Sequence, residues 1–273
     1  MKKIVAIACF FTFPATISHA GMVDSIAIYS QSMKKDIKTV VITPDDYPAA
    51  LVKYPVVYLL HGYGGNYSNW VTKVPSIIHW ADVYQIIIVC PDAAFGSWYF
   101  DSPVDSTFRY ETFISTEVPN YIDAHYKTIA NRKGRAIAGL SMGGHGALFI
   151  GFRHADTFGA CGSMSGALNI TKPYRARDTW KRLGDSITNA HYYRDWSVFN
   201  LVEHYPKDSI AIILDCGTND KLWDMTKTTH EKMLQLNIPH DYIERPGKHE
   251  WPYWTTAIKY QLLFFNEFFN KNK

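Results

Sequence analysis

Three residues far apart in the chain have types and settings that could do chemistry together: Ser141, Asp220 and His249. Ser141 lies in Gly139-Leu140-Ser141-Met142-Gly143, a G-x-S-x-G pattern. A serine hydroxyl is a poor nucleophile until a positioned base takes its proton, and that base is itself oriented by a third group. The residues from Arg135 to Gly139 read as the end of a strand, and those from Met142 onward read as a helix. Strand, sharp turn and helix are the setting that exposes a serine Oγ as a nucleophile. A side chain at Gly139 or Gly143 would collide within such a turn, and Gly144 and Gly146 would let the helix approach the sheet closely.

The partners should follow in the order serine, acid, histidine, each on a loop at the C-terminal end of a strand. His249 fits the last place, in "KHEWPYW" between the strand-like "HDYIERPG" and the final helix. His145 is one turn into the helix after Ser141, where its side chain should project away from the nucleophile. His61 sits on an earlier loop, and His79, His125, His154 and His230 fall on helices or at their ends. For the acid, "SIAIILDCGTNDKLWD" offers Asp215, Asp220 and Asp224. Asp215 is still within the strand and suits a structural hydrogen bond, while Asp224 suits a first helical turn, facing the helix dipole. Asp220, just beyond Gly217-Thr218, is the first choice and Asp224 the second. An oxyanion would need two N–H donors, expected from Met142 and from Tyr63 in "YLLHGYGG". That glycine-rich loop lacks the lysine and the spacing of a phosphate loop.

These loops need elements to hold them. Apolar runs mark eight strands, at "SIAIYS", "IKTVVITP", "YPVVYLLHG", "QIIIVCPD", "GRAIAGLS", "GACGSMSG", "SIAIILDCGT" and "HDYIERPG". The first two alternate and predict an antiparallel start. The later runs are continuously apolar, as expected of strands covered on both faces. Helical patterns fall between them. In "YETFISTEVPNYIDAHY", Pro119 should bend or shorten the helix. Leu222, Met225, Met233 and Leu236 form one side of another. Trp254, Ile258, Leu262, Phe265 and Phe269 form the stripe of a core-packing C-terminal helix. Strands alternating with helices predict a single α/β domain with a mostly parallel sheet flanked by helices, over residues 21–273. Residues 167–208, rich in aromatic and charged residues, read as a helical insertion over one edge of the site.

The N-terminus, "MKKIVAIACFFTFPATISHAG", has a basic start, a short apolar run and a small-x-small signal ending at Ala20. That layout is a signal peptide over residues 1–20, so the expectation is a secreted or periplasmic protein. The apolar run is far short of the ~20 residues that span a bilayer. Without Lys2 and Lys3 the formal charge falls from +3 to +1, which offers no electrostatic case for nucleic acid or an anionic membrane. Cys90, Cys161 and Cys216 lie in apolar strand-like runs and read as buried thiols, with a Cys161–Cys216 bond open if their strands are neighbours. No cysteine pair has metal-binding spacing, and the serine chemistry needs no cofactor.

"YLLHGYGGNYSNW", "PDAAFGSWYFDSP", "YETFISTEVPNYID", "GLSMGGHGAL", "DCGTND" and "KHEWPYW" together resemble the esterase D family of α/β-hydrolases, from about Val52 onward. That family includes S-formylglutathione hydrolases, tributyrin-type esterases, feruloyl esterases and mycolyltransferases. The resemblance implies the α/β-hydrolase fold, with Ser141 as nucleophile, Asp220 as acid, His249 as base, and the main-chain N–H groups of Tyr63 and Met142 as the oxyanion hole. The chain departs from the family at Asn219, where an acidic residue is frequent, and at Lys248, where glycine is frequent. The implied activity is that of a secreted serine carboxylic-ester hydrolase acting on a small-molecule or polysaccharide-linked ester, feruloyl and acetyl esters among them. The alternatives are an acyltransferase and a non-catalytic carbohydrate-binding module on the same scaffold. Trp98, Tyr99, Trp251 and Tyr253 are the candidate substrate contacts, against the plainer reading that they pack beneath the loops.

Overall fold

The computed structural model describes residues 22–171, 178–206 and 210–272, so the leader expected at 1–20 lies outside the described residues. Eight strands form one sheet: β1 (Val23–Ser30), β2 (Lys35–Ile42), β3 (Val56–Leu60), β4 (Ile87–Pro91), β5 (Arg135–Leu140), β6 (Ala160–Met164), β7 (Ala211–Gly217) and β8 (Asp241–Arg245). Their spatial order is β1-β2-β4-β3-β5-β6-β7-β8. β2 pairs antiparallel with β1 and β4, and every other pairing is parallel. The alternating N-terminal runs thus make the antiparallel edge, and the continuous apolar runs make the covered interior.

The helices are α1 (Asn69–Lys73), α2 (Ile77–Tyr84), α3 (Tyr110–Thr112), α4 (Val118–His125), α5 (Met142–Arg153), α6 (Trp180–Leu183), α7 (Ala190–Asp195), α8 (Val198–Leu201), α9 (Trp223–Gln235) and α10 (Trp251–Lys271). They sort onto two faces. Val57 and Leu59 of β3 pack with Trp70, Ile77 and the α10 stripe of Trp254, Ile258, Leu262, Phe265 and Phe269. Val56, Tyr58 and Leu60 point the other way, into a core shared with Phe149 of α5 and with Met225 and Met233 of α9. Within one strand, period-two alternation therefore serves two apolar cores. Leu236 departs from the expected α9 stripe: it falls just past the helix and is exposed.

Helical backbone continues through Pro119, so the proline does not shorten it. α3 and α4 are joined by a π-helical turn over Phe113–Glu117, and Pro119 sits at the start of α4. Such a turn absorbs the register change where a proline cannot donate. Between β6 and β7 the described chain is built of short helices, α6 to α8. The three cysteines Cys90, Cys161 and Cys216 are free and buried. Although β6 and β7 are neighbours, Cys161 stands opposite Ile212, four residues from Cys216, so register separates the two thiols. No helix among the described residues is long and apolar enough to cross a membrane.

Asp215 fastens the end of β7. Its carboxylate accepts from Arg245 Nη1 at 2.8 Å and Nη2 at 3.1 Å on β8, and from the Tyr253 hydroxyl at 2.5 Å on α10. The carboxylate is wholly buried and Arg245 largely so. Removing one member of a buried pair strands the other charge. Asp215→Ala should therefore lower unfolding free energy by about 3–5 kcal/mol, read from the denaturant midpoint; a loss below about 1 kcal/mol would show the pair to be dispensable.

Candidate active site

β5 ends at Leu140 and α5 begins at Met142, so Ser141 alone must make the turn. It does so at φ 55° and ψ −115°, the left-handed side of backbone space, where a non-glycine residue is strained by about 1–3 kcal/mol. The neighbours make that turn sterically feasible. A Cβ on Gly139 would lie 2.4 Å from the Gly143 carbonyl oxygen, and one on Gly143 would lie 2.5 Å from that of His61. Gly144 lets α5 close on Ser163 of β6, as expected. Gly146 instead makes room for the Tyr99 ring, from the loop after β4, rather than for the sheet.

The serine Oγ lies 2.9 Å from His249 Nε2. On the far side of the ring, Nδ1 is 2.9 Å from Asp220 Oδ1 and 2.8 Å from Oδ2. A carboxylate can only accept, so Nδ1 carries the proton, leaving Nε2 as the acceptor for the Ser141 hydroxyl. The loops bearing acid and base are stitched together: Thr218 N–H donates to the Arg245 carbonyl at 2.8 Å, and Asn219 N–H to that of Gly247 at 2.9 Å. A Cβ on Gly217 would meet the Gly247 carbonyl oxygen at 2.4 Å, so glycine is needed where the two loops touch. Burial pushes the Asp220 carboxyl up, but the His249 hydrogen bond and charge, with the Leu222 N–H and the Ser165 hydroxyl, outweigh it and hold it below the ordinary carboxylate value. Asp224 falls in the first turn of α9, as expected, and the carboxylate bonded to His249 is that of Asp220.

Ser141, His249, Tyr63 and Met142 open into one cavity of about 330 Å³. Met142 is the first residue of α5, so its N–H has no intrahelical acceptor and lies at the positive end of the helix. The loop carrying Tyr63 is braced by His61, whose Nδ1 donates to the Gly62 carbonyl at 2.8 Å and whose Nε2 accepts from Ala93 N–H at 2.9 Å. Both ring nitrogens are committed, which makes His61 a neutral strut.

Of the four aromatic candidates, Trp98 and Trp251 line the cavity. Tyr99 and Tyr253 do not, and this corrects the sequence expectation. Tyr99 is fully buried with its hydroxyl donated to the His61 carbonyl at 2.9 Å, and Tyr253 is spent on Asp215. Each has its polar end satisfied inside the core, the plainer of the two roles weighed for them. Residues that sequence reasoning passed over also line the cavity: Asn69, Lys221 and Trp254, with Lys221 its one fixed charge among the described residues. Adjacency of Lys221 to Asp220, and Trp254 within the His249 motif, were the available signals.

His145 is wholly buried, with Nε2 donating to the Trp196 carbonyl at 3.0 Å and its ring packed on Trp98 and Phe100. It belongs to the packing behind the site.

A strand–serine–helix elbow after β5, an acid after β7 and a histidine after β8, on a sheet of this order, define an α/β-hydrolase. Residues 30–265 match the family model described as putative esterase, and the chain belongs to that family. It is 28% identical over 236 residues to an esterase of Mycobacterium tuberculosis, covering 77% of this chain and 51% of that protein, so it spans about half the length of that relative. It is 27% identical over 252 residues to an acetyl esterase of Caldicellulosiruptor saccharolyticus, covering 85% of this chain and 94% of the relative. Among solved structures, a ferulic acid esterase superposes with a TM-score of 0.80 at 30% identity, covering 92% of this chain and all of that one.

Burial lowers His145 from 6.5 to about 4, partly opposed by the Trp196 carbonyl. Unfolded histidine takes up a proton near 6.5 while the folded one stays neutral, so its share of stability is present above that pH and lost as pH falls toward about 4. Unfolding free energy should drop by up to about 3 kcal/mol between neutral pH and pH ~4. His145→Gln should flatten that slope without abolishing it, because burial lowers His61 as well. Urea midpoints across the window check this, and an unchanged slope in the variant would reject it.

Proposed function

We propose that this chain is an exported serine carboxylic-ester hydrolase working through an acyl-enzyme, with residues 1–20 removed on export. The observation that carries the reading is the unbroken hydrogen-bonded line from Asp220 through His249 to Ser141, ending in an open cavity. His249 Nε2 takes the Ser141 proton as Oγ attacks the ester carbonyl. The oxyanion forms between the Tyr63 and Met142 N–H groups, where each donor contributes about 2.7–4 kcal/mol to the barrier reduction. His249 then protonates the departing alcohol, leaving the acyl group on Ser141. Next it takes a proton from water as the water oxygen attacks the acyl carbonyl, and returns that proton to Ser141 Oγ as the intermediate collapses and the carboxylic acid leaves. Asp220 accepts from Nδ1 throughout and stabilises the imidazolium.

For the substrate, we favour feruloyl or acetyl esters of plant polysaccharide. The relatives with acetyl esterase and ferulic acid esterase activity in their names support that choice. So do Trp98 and Trp251 in the cavity wall, aromatic side chains of the kind that pack against a phenolic ring or a sugar.

Ser141→Ala and His249→Ala should each lower kcat by about 10⁴- to 10⁶-fold, as residues acting as a unit do. A variant that kept a tenth of the parent rate would reject the assignment. Asp220→Asn should be damaging and Asp224→Asn mild; the reverse would move the acid. Purified residues 21–273 should hydrolyse a panel of acetyl, butyryl and feruloyl esters and acetylated xylan. Turnover of small acyl esters alone would remove the polysaccharide assignment. Transfer to an added alcohol in preference to water would replace hydrolysis with acyl transfer.

A further inference from the structure

The Tyr63 side chain has no part in the proton transfers above, yet it ties the cavity loop to a distant segment. Tyr63 is the second residue of a turn closed by the Gly65 N–H on the Gly62 carbonyl at 2.9 Å, with Gly64 at φ 72°. Its ring stands edge-on to Phe95, with centroids 4.9 Å apart and planes at 66°. Gly96 leaves room for it, since a Cβ there would lie 3.1 Å from the ring. The hydroxyl donates to Asp178 Oδ2 at 2.7 Å, a bond that joins the turn to the segment between β6 and β7.

Asp178 is presented from a braced support. It holds φ 54°, a shape that aspartate tolerates better than most residues. Its carbonyl accepts from the Lys181 N–H at 2.9 Å, and Lys181 Nζ lies 3.2 Å from Oδ2. Arg182 then fastens α6 to the loop after β4. Its Nε donates to the Gly96 carbonyl at 3.0 Å and its Nη1 to Asp105 Oδ2 at 3.2 Å, while its guanidinium lies over the Phe108 ring at 3.4 Å. The Ser102 hydroxyl donates to the Arg182 carbonyl at 2.6 Å. The Tyr63 hydroxyl, ahead of Lys181, holds the Asp178 carboxyl below its ordinary value.

We propose that Asp178 is a positioning residue for the oxyanion hole: through the Tyr63 hydroxyl it sets the tilt of the turn that presents the Tyr63 N–H. The proposal rests on the reading of Ser141 as nucleophile and of that N–H as an oxyanion donor. His61 holds the Gly62 carbonyl on one side of Tyr63, and on the other the Gly64 N–H donates to the Phe95 carbonyl at 3.1 Å. These bonds fix the two ends of the turn, and the tethered Tyr63 side chain fixes the rotation between them. A donor counts only when aimed at the oxygen of the transition state, so an error of tilt acts on kcat more than on KM.

The test is ester turnover by Tyr63→Phe, Asp178→Ala, Asp178→Asn and the Tyr63→Phe/Asp178→Ala double variant of the full chain. Inhibition by a trifluoromethyl ketone and amide exchange at Gly64 and Gly65 are followed in each. Tyr63→Phe should lower kcat by about 5- to 20-fold, a fraction of the loss when an oxyanion donor is removed, with KM changed less than about threefold. Addition of the ketone to Ser141 makes an oxyanion in the same hole, so its Ki should rise by the factor that kcat falls. Asp178→Ala should match, and the double variant should be no worse than either, because the two side chains act as one bond. Asp178→Asn keeps an acceptor and tolerates the same backbone shape, and should recover kcat to within about threefold of the parent. Exchange at Gly64 and Gly65 should quicken in Tyr63→Phe and stay at the parent rate in Ser141→Ala. A Tyr63→Phe kcat within about twofold of the parent, a change in KM alone, an unmoved Ki, unmoved exchange or losses that multiply would overturn the proposal. Should Asp178→Ala not fold, Tyr63→Phe decides, since it keeps the ring and the main chain. Full activity in Ser141→Ala would instead reject the underlying reading, and the exchange rates would still judge the tie.

Discussion

One residue has to reverse the chain between a central strand and a buried helix, and the rest of the site is arranged around that turn. Ser141 does it with φ 55°, a shape that persists only when the surroundings over-determine it. They do so through paired backbone bonds: its N–H donates to Met164 on β6, and its carbonyl accepts from His145 and Ala167. Gly139 and Gly143 supply the space, since a Cβ on either would collide with backbone. The turn presents Oγ at the sheet's C-terminal edge and aims the α5 N-terminus at the same point.

Distance from Ser141 to its partners is then a matter of sheet order. β5, β6, β7 and β8 are consecutive neighbours, so the loops after β7 and β8 open on the same edge as the turn after β5. Asp215 locks β7 to β8 and α10, while Thr218 and Asn219 tie the acid loop to the base loop. Asp220 and His249 thus approach Ser141 as one unit rather than as two independent loops. The cavity forms where this unit meets the loop after β3, which His61 and Tyr99 brace from below.

Charge has a small role in holding the site and a larger one in its chemistry. Asp220 is a buried carboxylate kept ionised by its donors, whereas the buried His145 and His61 are kept neutral by desolvation. The outcomes differ because hydrogen-bond donors outweigh desolvation at the Asp220 carboxylate, whereas desolvation outweighs the carbonyl acceptor of each imidazole.

The sequence by itself determined the element types, the parallel interior, the elbow and the order of serine, acid and histidine. These follow from local periodicity and from turn chemistry that glycine alone permits, at Gly139 and Gly143, and they need no knowledge of distant residues. Tertiary structure decided what local pattern does not encode. Tyr99 and Tyr253 sit in the same motifs as Trp98 and Trp251, yet they face the core, because a hydroxyl can be buried against His61 or Asp215. Cys161 and Cys216 lie on adjacent strands but are kept apart by register. Lys221, Asn69 and Trp254 reach the cavity only because the loop after β7 and the starts of α1 and α10 converge there. Which side of a loop faces a cavity is set by the packing of segments remote in the chain, and neither spacing nor composition carries that information.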